Sequence, residues 1–114
     1  MRNENRYGIT IIETGIGRLS IPECQFEVGQ RFRVRILSDD VSITLSKSKD
    51  SSISNIFKVK VKKIATDSKH MKIITLESGS TQIKARIRKK SAEILNLELN
   101  DEVFAQIKTV AITY

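Results

Sequence analysis

Cysteine occurs once in the chain, at Cys24, and histidine once, at His70. A single thiol excludes an internal disulfide, and so little cysteine fits a reducing compartment. Cys24 reads as a small packed residue, and His70, in Thr66-Asp67-Ser68-Lys69-His70, as part of an exposed hairpin loop. Together they supply neither a transition-metal cluster nor a Ser/His/Asp set, so the chain is not expected to be an enzyme and no cofactor is expected. None of the five glycines, at 8, 15, 17, 29 and 79, lies in a Gly-x-x-x-x-Gly-Lys-Ser/Thr loop, which removes the usual cradle for nucleotide phosphates. No apolar run approaches the length that spans a bilayer, and Met1 to Arg6 is polar with no signal-like stretch. A cytoplasmic protein without direct membrane insertion follows. Aromatics number six, and Phe26, Phe32, Phe57 and Phe104 are all claimed by core alternation, which leaves few platforms for stacking bases.

Charge is what the chain has in excess. Its 114 residues are 29% charged with a net charge of +7, and 39% hydrophobic. Residues 1–50 carry 8 basic and 7 acidic side chains, whereas 51–114 carry 12 basic and 6 acidic. The second half holds most of the excess, a field that favours an anionic partner.

The pattern is that of strands. Tyr7 to Glu13 and Ile16 to Ile21 flank a Thr14-Gly15 hairpin signal, and Pro22 closes the second run. Arg31 to Ile36 alternates strictly, with Phe32, Val34 and Ile36 inward; Val41 to Leu45 follows a turn at Ser38-Asp39-Asp40, whose acidic side chains are expected to bond local backbone. Ile56 to Lys62 alternates again, placing Phe57, Val59 and Val61 opposite Lys58, Lys60 and Lys62. Met71 to Leu76, Gln82 to Ile87, Val103 to Ile107 and Val110 to Thr113 complete the strands, and Ser91 to Leu95 is the one short helix.

Phe26/Leu97, Val28/Leu99, Phe32/Val103, Val34/Ala105 and Ile36/Ile107 fall at a constant offset, as a duplicated core requires. The fold class is all-β: an OB-like β-barrel built from two tandem repeats with one short helix. The first repeat spans 7–45, a polar linker 46–52, and the second 53–114. Residues 1–6 are expected to be disordered or the edge of an excised piece.

These residues resemble a known family. Ser52-Ile53-Ser54-Asn55 before a strand, a Ser-Ala-Glu helix at Ser91, and Ile107-Lys108-Thr109 are similar to the molybdate-binding Mop module. Tyr7-Gly8-Ile9-Thr10, Gly15 to Leu19 and Arg33 to Ile43 resemble the partner TOBE-type half found in ATP-binding subunits of molybdate ABC transporters. The resemblance implies a regulatory oxyanion-sensing domain that binds molybdate or tungstate and forms a homodimer. It also implies partnership with the parent ATPase and its membrane permease, at the inner face of the cell membrane. By the same resemblance the oxyanion is held by Ser52, Ser54, Asn55, Arg88, Ser91 and Lys108. Ser54 stands where many members have arginine, and Arg88 where threonine or serine is common.

Blander readings run beside these. Ser91 suits a helix start as a cap, and Lys108, in a strand from Val103 to Ile112, suits an outward edge residue. The basic stripes at period two, Lys58, Lys60 and Lys62 and likewise Lys84, Arg86 and Arg88, suit solvated faces. The alternatives are an assembly-only module with an outward apolar patch at Ile11, Ile53 or Ile56, and an OB-type nucleic-acid-binding domain; no nucleic-acid partner is expected.

Overall fold

Alternation of apolar and charged side chains decides which face of each strand is buried. The computed structural model describes residues 2–4, 9–22, 33–47, 55–108 and 110–113. In chain order the strands are β1 (Arg2–Glu4), β2 (Ile9–Thr14), β3 (Gly17–Pro22), β4 (Arg33–Arg35), β5 (Val41–Thr44), β6 (Asn55–Ser68), β7 (Met71–Ser78), β8 (Thr81–Arg88), β9 (Glu102–Ile107) and β10 (Ala111–Thr113). A 3-10 turn covers Ser38–Asp40, and helix α1 covers Lys89–Ile94. Strand β1, in the stretch expected to be disordered, pairs with β2.

All pairing is antiparallel: a β1-β2-β3 sheet, a β10-β4 pair, and a five-stranded sheet in the order β5-β9-β6-β7-β8. In β6, Val59 and Val61 are buried while Lys58, Lys60 and Lys62 are exposed. A bulge between Val61 and Lys63 then shifts the register against β7. Beyond the start of β9, Val61 would lose its partners on that side. The turn before β9 replaces them: Val61 N–H donates to the Asp101 carbonyl (2.9 Å) and Asn100 N–H donates to the Val61 carbonyl (2.7 Å). In β9, Val103, Ala105 and Ile107 face the core. Phe104 therefore lies on the opposite face, half-buried and paired with Lys58, which corrects its assignment to the core.

Two of the β5–β9 and β4–β10 pairs matter most for the architecture. Val41 pairs with Ile107, and Ile112 pairs with Val34. By the sequence repeat, β4 corresponds to β9 and β5 to β10. The last strand of each repeat therefore pairs with the penultimate strand of the other. Neither repeat completes its sheet alone. The core joins both, since Leu19 and Ile21 cluster with Val61, Ile74, Leu76 and Ile107. Each such buried side chain contributes roughly 1.5–3 kcal/mol relative to exposure.

Helix α1 begins two residues earlier than the sequence suggests and is too short to persist alone. Its first N–H, at Lys89, donates to the His70 carbonyl at 2.8 Å. Its end is closed by a Schellman pair: Leu97 N–H to Ala92 carbonyl (3.2 Å) and Asn96 N–H to Glu93 carbonyl (3.0 Å), with Asn96 at φ 51°. Leu97 then packs on the core.

Gly17 follows the β2–β3 turn at φ +135°, where an added Cβ would sit 2.7 Å from the Phe57 ring. Gly17→Ala should therefore lower stability by about 1–3 kcal/mol in urea denaturation. Gly79→Ala, at φ +60° with open space around its Cβ, should cost only about 1–2 kcal/mol. A loss at Gly17 smaller than at Gly79 would contradict the close packing of the hairpin on β6.

Candidate functional site

Ser52 and Ser54 lie outside the described residues. Asn55 opens β6 and is 5% exposed. Its Oδ1 accepts from Ser20 N–H at 2.7 Å, and its Nδ2 donates to the Ser20 carbonyl at 2.9 Å. The carboxamide completes the outer edge of β3 as a strand residue would. The geometry thus gives Asn55 a structural contact with the β2–β3 hairpin.

Lys108 follows the last residue of β9 and is exposed, instead of interrupting a continuous strand to Ile112. Its N–H donates to the Asp40 carbonyl at 2.9 Å. Among the described residues the neighbouring Asp39 makes no bond to local backbone, where the sequence suggested one. It meets Arg86 of β8, with Nη1 to Oδ1 at 3.4 Å, while Arg86 Nε donates to Asp67 Oδ2 at 2.8 Å. Asp67 first, then Asp39, raise the Arg86 pKa above its ordinary value. These exposed pairs are worth little individually in stability, but they bring the end of β8 to the turn that holds Lys108. The edge strands β5 and β8 also approach each other, so the five-stranded sheet curls towards closure.

Arg88 ends β8, two residues beyond Arg86. It precedes the helix, and its side chain makes no capping bond. Ser91 is the third helical residue, not the first, and is half-buried. Arg88 lines a cleft of about 620 Å³ with His70, Met71, Lys89, Lys90 and Glu93. Among the described residues no carboxylate lies within ion-pair distance of Arg88, Lys89 or Lys90. The Arg86–Asp39 pair and the Lys108–Asp40 bond connect the end of β8 with Lys108; among the described residues no hydrogen bond joins Arg88, Ser91 and Lys108 directly. A second cleft of about 600 Å³ mixes apolar side chains such as Ile16, Leu19 and Ile36 with Thr14, Ser38, Thr81, Gln82 and Lys84, and none of the site residues expected from the sequence lines it.

The β6 lysines differ from the Arg88 cluster. Lys58 Nζ meets Glu102 Oε2 at 3.0 Å, and Lys62 Nζ meets Glu77 Oε1 at 3.9 Å. Carboxylates on both neighbouring strands thus offset this stripe, which weakens it as a phosphate track. Among the described residues no group of three or more His, Cys, Asp or Glu side chains could hold a metal. No helix there is long and apolar enough to cross a membrane.

Sequence reasoning missed the Asn55–Ser20 pair and the Arg86 clamp. Ser20 contributes only backbone atoms, which leave no side-chain signal. Arg86 sat unnoticed in the basic stripe of β8, between Lys84 and Arg88.

The profile of the TOBE domain matches residues 51–113. The chain belongs to the TOBE domain family. It is 39% identical over 94 residues to the molybdenum import ATP-binding protein ModC of Albidiferax ferrireducens, covering 82% of this chain and 26% of that protein. For ModC of Hahella chejuensis the identity is 36%, with 93% and 30% covered, and for that of Photobacterium profundum 35%, with 97% and 32% covered. The TOBE chain thus spans less than a third of the length of these relatives. Its fold is similar to that of the cytoplasmic molybdate-binding protein ModG, solved with molybdate bound. The TM-score is 0.80 at 23% identity, with 92% of this chain and 82% of that one covered. This likeness supports the all-β TOBE architecture.

Lys58 first by its hydrogen bond and then by its charge, with Lys60 adding less, holds the Glu102 carboxyl below its ordinary pKa. A depressed carboxyl pKa contributes stability above the unfolded value, and that contribution is lost as pH falls through the folded pKa. Lys58→Ala should move the Glu102 titration upwards, followed by carbon-13 NMR of its carboxyl. An unmoved titration would contradict the pairing.

Proposed function

We propose that this TOBE domain is the oxyanion-sensing regulatory module of a molybdenum-importing ATP-binding subunit, with molybdate or tungstate as ligand. The observation that carries the reading is the contrast in charge. The β6 stripe is offset by Glu77 and Glu102, whereas Arg88, Lys89 and Lys90 share a cleft with a single carboxylate, Glu93. A cluster kept positive in this way suits a small dianion, for which charge-assisted hydrogen bonds are the strong ones. The relatives' names, which concern molybdenum import, and the molybdate-bound fold neighbour support the choice of oxyanion.

In this reading Arg88 and Lys108 supply charge, and Ser52, Ser54 and Ser91 supply hydroxyls. Asn55 is not a direct ligand. Binding involves no bond making, and the domain performs no catalysis. Regulation follows from linkage: the anion shifts the parent subunit only by its difference in affinity between two states. We further propose a homodimer, acting with the parent ATPase and its permease at the inner face of the membrane. Assembly without a ligand is favoured as a second reading by Ile94 and Leu99, which are 71% and 59% exposed on either side of the turn that ends α1; Leu99 thus lies outside the core in which the sequence repeat placed it.

Calorimetric titration with molybdate and tungstate, with sulfate and phosphate as controls for charge, tests this. Saturable heat with the first two is expected, and Arg88→Ala or Lys108→Ala should weaken affinity at least about tenfold, the scale of one lost charge-assisted contact. No heat at millimolar anion, together with dimerisation that depends on concentration alone, would replace sensing with assembly.

A further inference from the structure

We infer that Asn55 is the positioning residue of the oxyanion site, a latch that makes binding depend on the seating of the β2–β3 hairpin. The inference rests on the reading just given. Asn55 pairs in register with Ile107, the residue immediately before Lys108, and Ile107 pairs in turn with Val41, next to Asp40. Lys108 N–H is bonded to the Asp40 carbonyl. The end of β9 is therefore held on one side by Asn55 and on the other by the start of β5.

Asn55 is itself fixed from a third direction. Both heteroatoms of its carboxamide engage the backbone of Ser20, 35 residues earlier in the chain and in a different sheet. Asn55 is 5% exposed and Ser20 half-buried, so releasing the amide would leave the Ser20 N–H and C=O without their protein partner in a partly shielded position, at a cost in stability. The latch is thus either closed or broken, and its state is passed to Lys108 through one rung of the β6–β9 ladder. This gives the hairpin, which carries none of the candidate ligands, a means of setting affinity. It also accounts for an asparagine in the Ser-x-x-Asn segment: only a carboxamide offers an acceptor and a donor side by side to match a backbone N–H and C=O.

The test combines two measurements on the full chain. The first is calorimetric titration with molybdate of the native protein, Asn55→Ala, Asn55→Asp and Ser20→Ala, all at a temperature where circular dichroism shows each fully folded. Asn55→Ala and Asn55→Asp should bind at least about tenfold more weakly, as expected when about one molecule in ten or fewer holds the competent arrangement. Ser20→Ala should bind as the native protein does, because its contacts are backbone. The second is hydrogen exchange at the Ser20 amide of the native protein, free and saturated with molybdate, which needs no variant to fold.

Coupling is reciprocal, so a latch required for binding must be tightened by it, and Ser20 exchange should slow on saturation. Were Asn55 a direct ligand, its amide would turn away from Ser20 and exchange would quicken. Native affinity in folded Asn55→Ala, or Ser20 exchange that is unchanged or faster, overturns the inference while leaving the sensor reading intact. Absence of molybdate binding by the native protein overturns both.

Discussion

The exchange of terminal strands is the constraint on which the rest of this structure depends. Strand β5 is hydrogen-bonded to β9 and β10 to β4, so each repeat closes an edge that the other would otherwise leave open. Open edges carry unpaired N–H and C=O groups and invite association. Internal exchange satisfies them within one chain and places the ends of β5, β6 and β9 side by side. That convergence brings Asn55, Asp40 and the backbone of Lys108 together from sequence positions far apart.

Charge is then distributed over this frame in two ways. On β6, cross-strand glutamates offset the lysines and leave an exposed surface of mixed sign. At the end of β8, Arg86 is committed to Asp67 and Asp39, while Arg88 and the two lysines after it gather in a cleft with Glu93. Arg86 and Arg88 lie two residues apart on one strand face and do different things. One ties β8 to Asp67 and Asp39; the other makes no ion pair among the described residues.

Much of this was legible in the sequence, for physical reasons. Strict alternation in Phe57-Lys58-Val59-Lys60-Val61 and in the β8 stripe fixed both element and face, and the constant offset between Val34/Ala105 and Ile36/Ile107 pointed to a repeat. Phe104 was misassigned because hydrophobicity was read without phase: with Val103, Ala105 and Ile107 buried, period two places Phe104 outside. The helix start was misplaced because its first N–H is satisfied by the His70 carbonyl, with no capping side chain to announce it. Family resemblance read Asn55 as a ligand, and only the fold shows its amide turned to Ser20. A partner made of backbone atoms is invisible in any sequence.

Locating the anion is the most direct test of the proposed sensing role. Crystals of the protein grown with tungstate would place the metal by its anomalous scattering. One strong peak is expected within charge-assisted hydrogen-bonding reach of Lys108 Nζ or the Arg88 guanidinium, with the Asn55 carboxamide still on Ser20. A peak over Lys58 and Lys60 on the β6 face, or none at millimolar tungstate, would contradict the proposed role.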